Sequence, residues 1–444
     1  MRHRPKISVS LTPLAACLAV ALCSLPADAR PVRAHASAQA ASFAFHTAPL
    51  GGVTLLVTSC LDDSSGGTLR EVLASAGEGD TVDMSALACS TITLAQGELA
   101  TSLDDINFVG PGGHTLTIDA ASASRGISHT GAGTLGLSHL GISNGRIAGS
   151  TGYGACVYSA GSVDASHVDI ANCNNLVYPS NGGGLFAMNA VTIADSSITN
   201  SYGGLGGGGV FAYYGNMTIT RSTISGNSAR HAGGAFAYYG SISVIDSTIS
   251  GNTANISGAG GVRTYYDLDI VNSTISGNLA AMSAGGIEFG GVGSIRNSTI
   301  VFNQAVDGGG IHGFNGSTLT MTSTIVALNS AGAGTSDIGN VVSVDGSHNL
   351  IMVTTATVPP DTLTGDPGIG PLADNGGPTQ THALLSGSIA IDAGDNPDAL
   401  ATDQRGFART AGAATDIGAY ELQPDVIFAN GFEQAVTRLL RLAK

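Results

Sequence analysis

A six-residue segment returns along the middle of the chain at nearly constant intervals. STISGN occurs at Ser222–Asn227, Ser247–Asn252 and Ser273–Asn278, and the variants STIVFN and STIVALN follow from Ser298 and Ser323. The steps from serine to serine are 25, 26, 25 and 25 residues. A fixed period of this size is typical of a repeat architecture, in which each unit packs against its neighbours.

Apolar and polar residues alternate inside each repeat. Val210 and Ala212, then Met217 and Ile219, then Ile224 occupy every second position of three short runs separated by Gly or Asn. Alternation of this kind predicts three short strands, which bury a face only if successive coils stack about 4.8 Å apart. The sequence therefore predicts an all-β fold: a right-handed, single-stranded parallel β-helix with coils of about 25 residues.

An asparagine closes each repeat, at Asn227, Asn252, Asn278, Asn303 and Asn329. Stacked at one corner of the coil, these amides can bond to one another and to the backbone along the axis. We therefore interpret them as a structural ladder and assign them no catalytic role.

The ends of such a tube expose strand edges and need covers. At the front, Thr68 to Glu71 forms a capping box, and Leu69, Val72 and Leu73 give the following helix one apolar face. This pattern predicts an N-terminal cap with a helix over residues 60–91, and an irregular cap is expected at the C-terminal end.

The cysteines predict two disulfides and no metal site. Of the six cysteines, Cys17 and Cys23 lie in the N-terminal apolar segment, which leaves Cys60, Cys89, Cys156 and Cys173. An even number favours disulfides in an exported protein, and none of the four lies in a CxxC pair that would indicate zinc. Cys60 and Cys89 flank the predicted cap helix, and Cys156 and Cys173 fall at the start and end of one coil. These positions favour the pairs Cys60–Cys89 and Cys156–Cys173.

The N-terminus has the order of a secretory signal. Three basic residues at positions 2–6 precede an apolar run over 11–25, and Ala27-Asp28-Ala29 follows. The run is too short to span a membrane, so we predict a signal peptide over 1–29, a lead segment over 30–59 and an extracellular or cell-surface location. A lipoprotein box ending at Cys17 is the alternative, but the residues after Cys17 are apolar instead of a polar tether.

The charge balance excludes one class of partner. The formal net charge is −15, and Lys6 and Lys444 are the only lysines. Without a basic stripe for phosphate backbones, a nucleic-acid ligand is not expected.

Two segments resemble known families. CLDDSSGGTLREVLASAGEGDTVDMSAL, from Cys60, resembles the "CSLREA" segment of secreted bacterial β-helix proteins. GDPGIGPLADNGGPTQTHALLSGSIAIDAGD, TDQRGFAR and DIGAYE, between Asn349 and Glu421, resemble the choice-of-anchor Q domain. The resemblance implies export and surface display on a pectate-lyase-like β-helix, without naming an activity. It suggests a β-helix over 92–346, an anchor-like region over 347–422 and a tail over 423–444.

Acidic residues of the anchor-like region offer oxygen ligands of the kind that calcium takes. Most lie beside Gly, Pro or Asn, where Asp commonly caps turns, so turn capping is favoured and no cofactor is predicted. The residues concerned are Asp366, Asp374, Asp392, Asp395, Asp403 and Asp416.

Alignment of the coils on their glycine clusters places charged residues in one outward column. Arg263, Glu288 and His312 would follow one another at about 5 Å steps, with Asp269 nearby. This group is the best catalytic candidate for a polysaccharide lyase or glycoside hydrolase, but it offers one acid in the column, and the NTD, GHG and RIK signatures of polygalacturonases do not occur. We favour a cross-strand ion-pair ladder.

The same alignment places aromatic rings in the outward columns, at Phe211, Tyr213, Phe236, Tyr238 and Tyr265. If these rings face water, they form an exposed stripe on which the sugar rings of an extended polysaccharide can stack. The sequence thus favours a non-enzymatic adhesion or glycan-binding protein, with polysaccharides or cell-surface ligands as partners. A carbohydrate-active enzyme and a structural surface spacer remain the alternatives.

Overall fold

The computed structural model describes residues 52–423 except 64, 114, 150–151, 315 and 333–336. The predicted signal peptide, most of the lead segment and nearly all of the tail lie outside the described residues. In the described part, the strands of successive turns pair in parallel and form a solenoid of about 11 turns. The prediction of an all-β parallel solenoid is confirmed.

The largest sheet has 21 strands. Residues 134–143 and 162–171 each cross it as one long strand, and later coils cross it as two shorter strands separated by a corner. Its strands are Thr54–Leu56, Thr81–Asp83, Thr91–Thr93, Ile106–Val109, Thr117–Asp119, Thr134–Ser143, Ser162–Ala171, Val191–Ala194, Ser197–Thr199, Met217–Thr220, Thr223–Ser225, Ile242–Ile245, Thr248–Ser250, Leu268–Val271, Thr274–Ser276, Val292–Arg296, Thr299–Val301, Thr318–Thr322, Ile325–Ala327, Val344–Ser347 and Leu350–Ile351.

Two narrower sheets complete the tube. The second sheet has 10 strands: Leu99–Thr101, Ile127–His129, Val157–Ser159, Leu185–Ala187, Val210–Ala212, Ala235–Ala237, Val262–Thr264, Ile287–Phe289, Ile311–Gly313 and Ile338–Gly339. The third has 8 strands: Arg146–Ile147, Asn174–Asn175, Tyr202–Gly203, Ser228–Ala229, Thr253–Ala254, Leu279–Ala280, Gln304–Ala305 and Ser330–Ala331.

The interior contains a column of identical side chains. Ile224 pairs in register with Ile249, Ile249 with Ile275, and Ile275 with Ile300. Each of these isoleucines is fully buried. The STI segment therefore repeats because the stack places the same side chain over itself in every coil.

Backbone corners in the left-handed region explain the glycine of STISGN. Gly226, Gly251 and Gly277 have φ values of 62° to 65°, which glycine adopts without the steric cost that a Cβ brings. The upstream coil uses Asn200 at the same corner with a φ of 51°. Asparagine is among the few other residues that tolerate this conformation.

The asparagines form a continuous hydrogen-bonded ladder. The Nδ2 group of Asn252 donates to the Asn278 Oδ1 at 3.0 Å, and the backbone N–H of Asn252 donates to the same oxygen at 3.0 Å. The final member, Asn329, donates to Asp337 Oδ1 at 2.9 Å. A carboxylate suits this end because it only accepts hydrogen bonds.

The front of the tube carries the helix Leu69–Ser75. The Thr68 hydroxyl accepts from the Glu71 N–H at 3.4 Å, and Leu69, Val72 and Leu73 are buried in the main core. Disulfides join Cys60 to Cys89 and Cys156 to Cys173. The described residues include no helix that is long and apolar enough to cross a membrane.

Beyond the last coils, residues 366–423 fold back along the large sheet, and we call them the returning segment. It carries the antiparallel pair Ile369–Ala373 and Thr381–Leu384. Gln404 accepts from Thr274 at 2.6 Å and His382 bonds to Ser276 at 2.8 Å, so the segment covers the outer side of the STISGN strands. Three strands, Thr248–Ser250, Thr274–Ser276 and Thr299–Val301, are consequently buried on both faces, whereas Thr223–Ser225 is half-buried on its outer face.

A buried network of charges holds this returning segment together. Arg405 forms an ion pair with Asp403 at 2.7 Å, and its guanidinium carbon lies 3.6 Å from the centre of the Tyr420 ring. Arg409 is fully buried and donates to the carbonyl oxygens of Asp416 and Gly418, each at 2.7 Å. The returning segment is therefore stabilised by its own buried ion pairs and hydrogen bonds, in addition to its contacts with the sheet.

Candidate functional site

The outer face of the second sheet carries one column of large side chains. Phe211 pairs with Phe236, Phe236 with Arg263, Arg263 with Glu288, and Glu288 with His312. The parallel register places one of these side chains above the next along the tube axis. Rings therefore occupy the N-terminal part of the column, and ionisable groups occupy the C-terminal part.

The prediction that Phe211 and Phe236 face water is wrong. Their exposed fractions are 1% and 4%. The turns that lead into this sheet fold across its outer face: a Cβ on Gly206 would lie 2.9 Å from the Phe236 ring, and one on Gly207 would lie 2.8 Å from the Phe211 Cβ. Alternation correctly placed both rings outside the coil, but it carries no information about the turns that cover them.

The exposed rings belong to the neighbouring residues. Tyr214 is 60% exposed, Tyr239 46%, Tyr265 39% and Tyr266 46%. The sequence interpretation missed Tyr214, Tyr239 and Tyr266, although a signal was present, because a Tyr-Tyr doublet recurs in three successive coils at 213–214, 238–239 and 265–266. Tyr213 and Tyr238 are half-buried beneath these residues.

The stacking geometry restricts where a sugar can lie. The rings of Tyr213 and Tyr238 are stacked with their centres 5.5 Å apart, and those of Tyr214 and Tyr239 repeat this spacing. A pyranose ring needs contacts of about 4 Å on each side, so it cannot enter between two rings at this separation. These stacked tyrosines, which we call the aromatic ladder, therefore present mainly ring edges and hydroxyl groups to a ligand.

The regular stack ends at the coil of Phe236. The ring of Phe236 lies at 79° to that of Phe211, and Tyr265 lies at 88° to Tyr238. A cleft of about 460 Å³ opens where the aromatic ladder is interrupted. This volume is within the range of small-ligand sites. The cleft walls include Tyr153, Pro179, Asn181, Leu205, Phe211, Tyr213, His231, Phe236, Tyr238, Ser257, Arg263 and Tyr265.

Polar groups from two turns line the same cleft. The His231 Nδ1 lies 2.7 Å from the Ser257 hydroxyl. Burial lowers the pKa of His231, and the nearby cations Arg263 and Arg230 lower it further, so the imidazole is neutral at neutral pH. Burial likewise raises the pKa of Tyr213 and Tyr265 above the ordinary tyrosine value, and both phenols can donate hydrogen bonds at neutral pH. The sequence interpretation missed His231 and Ser257 because both lie in turns, outside the alternating strands.

In the ionisable part of the column, Arg263 and Glu288 form a close ion pair, and His312 lies beside Glu288. Arg263 Nε lies 2.7 Å from Glu288 Oε2, although the contact is not aligned as a hydrogen bond, and His312 Nδ1 lies 3.8 Å from Glu288 Oε1. The Glu288 side chain is 1% exposed and that of Arg263 is 10% exposed. The guanidinium carbon also lies 5.0 Å from the centre of the Tyr265 ring, within range of a cation–π contact.

Asp269 lies apart from this pair. It belongs to the strand Leu268–Val271 of the large sheet, and it pairs with Arg296 at 2.9 Å. Arg296 also contacts Asp398 of the returning segment at 2.5 Å. The structure therefore brings Arg263, Glu288 and His312 together but places Asp269 in a contact between the tube and the C-terminal segment.

The candidate calcium ligands bond to the protein itself. Asp366 and Asp374 accept from the N–H groups of Gly368 and Gly376 two residues later. Asp392, Asp395 and Asp416 also accept from backbone N–H groups, and Asp403 holds Arg405. Among the residues that the structure describes, no group of three or more His, Cys, Asp or Glu side chains is arranged to hold a metal.

Comparison with known proteins identifies the scaffold alone. A solved structure of pectate lyase Pel9A matches this chain with a TM-score of 0.53 at 16% identity, over 83% of this chain and 96% of that one. At this identity the match shows a shared β-helix fold. No protein-family model matches the chain, and no curated protein matches its sequence. The choice-of-anchor Q assignment accordingly stays a prediction.

Proposed function

We propose that this chain is a secreted or surface-displayed β-helix protein that binds glycans without cleaving them, and that the aromatic cleft is its binding site. The observation that carries the proposal is the break in the aromatic ladder at Phe236 and Tyr265, where rings line an open cleft together with His231 and Ser257. Apolar ring faces combined with a few polar donors and acceptors suit a sugar, which has both kinds of surface.

The exposed tyrosine doublets extend this surface along the tube. Their hydroxyl-bearing edges repeat with the coil, and the ring centres of Tyr214 and Tyr239 are 5.5 Å apart. This spacing is close to the rise of the coil and suits contacts with successive units of an extended chain. The cleft would hold one sugar ring, and the doublets would contact the chain on one side of it.

The column of Arg263, Glu288 and His312 offers weak support for catalysis. A proton-abstracting or proton-donating group must reach the substrate, whereas Glu288 is buried against Arg263. An enzyme on this scaffold, as in the pectate lyase that shares the fold, is the alternative that an activity assay must address.

A panel of plant and bacterial polysaccharides tests the proposal, with the bound fraction and new reducing or unsaturated ends recorded in the same wells. The wild-type protein is expected to bind without producing new ends. Tyr238→Ala should lower the affinity about tenfold or more because it removes a wall of the cleft. Phe407→Ala is the matched control, since this ring is 45% exposed and lies in the returning segment against Arg405.

Each other outcome contradicts the proposal in a different way. New chain ends would favour a lyase or hydrolase, and Glu288→Gln should then abolish turnover while binding persists. Absence of binding by the wild type would favour a structural spacer. Equal losses in Tyr238→Ala and Phe407→Ala would place the binding site elsewhere.

A further inference from the structure

The one arginine among the residues that line the cleft has its charge compensated inside the protein. Arg263 Nε lies 2.7 Å from the buried Glu288 carboxylate, and Arg263 Nη1 donates to the His231 carbonyl at 3.3 Å. With its side chain only 10% exposed, the guanidinium cannot turn outward to a ligand without leaving Glu288 as an unpaired buried charge. An unpaired charge inside a protein is strongly destabilising.

Aromatic rings hold the same guanidinium from other sides. Its central carbon lies 5.2 Å from the centre of Phe236, 5.0 Å from Tyr265 and 5.9 Å from Phe314. Cation–π contacts of this kind stabilise the guanidinium in its present position. Arg263 is therefore held in the cleft wall by Glu288, the His231 carbonyl and these rings.

Neither His231 nor Arg230 supplies the cleft with a positive charge for an anionic ligand. His231 lines the cleft, but burial and the two nearby arginines lower its pKa, so it carries no charge at neutral pH. Arg230 lies outside the cleft lining, with its guanidinium carbon 4.5 Å from the ring of Tyr178. The chain as a whole carries a net charge of −15, which repels polyanions at long range.

From this arrangement we infer that the cleft selects uncharged sugar rings and rejects uronates. The inference rests on the proposed glycan-binding function and specifies its ligand class. A carboxylate entering the cleft would lose water and meet aromatic walls, a neutral imidazole and an arginine already paired with Glu288. An uncharged ring of the same shape avoids this desolvation cost.

Two matched pairs of probes test the inference by calorimetric titration of the full chain. One pair is hexagalacturonate and its methyl ester, and the other is cellohexaose and its C6-oxidised glucuronate form. In any pair that binds, the uncharged member should bind about tenfold more tightly or better. Its affinity should also change little with added salt, because screening acts on charged ligands.

Glu288→Gln removes the negative charge that compensates Arg263, with little change in shape. Freed of its partner, Arg263 should attract the uronate, and the preference for the uncharged member should shrink about tenfold or invert. Tighter binding of the uronate by the wild type would overturn the inference and leave glycan binding intact. Binding of none of the four probes would contradict the proposed function itself. If the variant does not fold, the wild-type affinity ratio and its salt dependence decide the question.

Discussion

At the scale of single residues, repetition reflects hydrogen bonding as much as packing. Ser222 and Ser247 show this: the N–H of the first donates to the hydroxyl of the second at 3.0 Å, and the Ser222 hydroxyl donates to the Thr220 carbonyl at 2.7 Å. The serine of STISGN thus forms a second ladder beside the asparagines. A buried corner needs such partners, because unpaired polar groups are costly there.

Removal of one asparagine should test the ladder. In Asn278→Ala, the buried N–H and amide of Asn252 lose their acceptor, and the Asn303 oxygen loses a donor. We expect the free energy of unfolding to fall by about 3 kcal/mol, measured by urea denaturation. Asn255→Ala is the control, since Asn255 is exposed and should change stability by less than about 0.5 kcal/mol. Equal losses in the two variants would show that the ladder does not stabilise the fold.

At the scale of elements, the returning C-terminal segment is the feature that the sequence predicted least well. Alternation in the STISGN strands indicated one buried face, yet Thr248, Thr274 and Thr299 on the other face are also buried. Their partners lie more than 100 residues later, as in the 2.6 Å bond from Thr248 to the Gln380 carbonyl. Such contacts carry no periodic signal, whereas the Ile and Asn columns could be predicted because each coil repeats its neighbour.

The cleft also combines residues that repeat from coil to coil, which the sequence predicts, with turn residues that do not repeat. The column of Phe236, Arg263 and Glu288 follows from strand register, so the sequence predicted its order. The turns that bury Phe236 and contribute His231 vary between coils, so their course could not be derived from the repeat. The structure therefore moved the candidate site from an exposed stripe to a cleft at the break in the ladder.

Acid should stabilise the returning segment through Glu421. Burial raises the pKa of this fully buried carboxyl from 4.5 to about 7. The folded state therefore holds the proton more tightly than the unfolded state, so this contribution to stability is complete below about pH 4.5 and is lost as the pH rises through about 7. In thermal unfolding across this range, the contribution of Glu421 to Tm should fall as the pH rises, whereas buried His231 and His382, whose pKa values are lowered, contribute in the opposite direction.

Glu421→Gln isolates this contribution. The variant cannot titrate at this position, so the wild-type Tm minus the variant Tm should fall as the pH rises through about 7. Asp246, whose pKa burial also raises, is present in both proteins and leaves the difference between the two curves unaffected. Parallel curves would contradict the assignment to Glu421. The absolute Tm of the variant is a weaker test, since glutamine cannot accept hydrogen bonds at both terminal atoms from Ala411 and Asp416, as the carboxylate does.

At the scale of the whole molecule, the tube presents two different long faces. The returning segment covers the outer side of the STISGN strands, whereas the second sheet carries the aromatic cleft and the exposed tyrosine doublets. Near the front end, the helix Leu69–Ser75 buries its apolar face in the main core, and a disulfide joins Cys60 to Cys89. Disulfides are typical of proteins that fold in an oxidising compartment, which is consistent with an extracellular protein.

Hydroxyl-radical footprinting with a bound polysaccharide tests the central claim, that this cleft holds a glycan, most directly. Oxidation of exposed rings, read by mass spectrometry, should fall at Tyr239, Tyr265 and Tyr266 when the polysaccharide is added. Phe302 and Phe407, each 45% exposed and belonging to other parts of the molecule, should be oxidised at an unchanged rate. Protection of Phe302 or Phe407 with the three tyrosines unchanged would contradict the account.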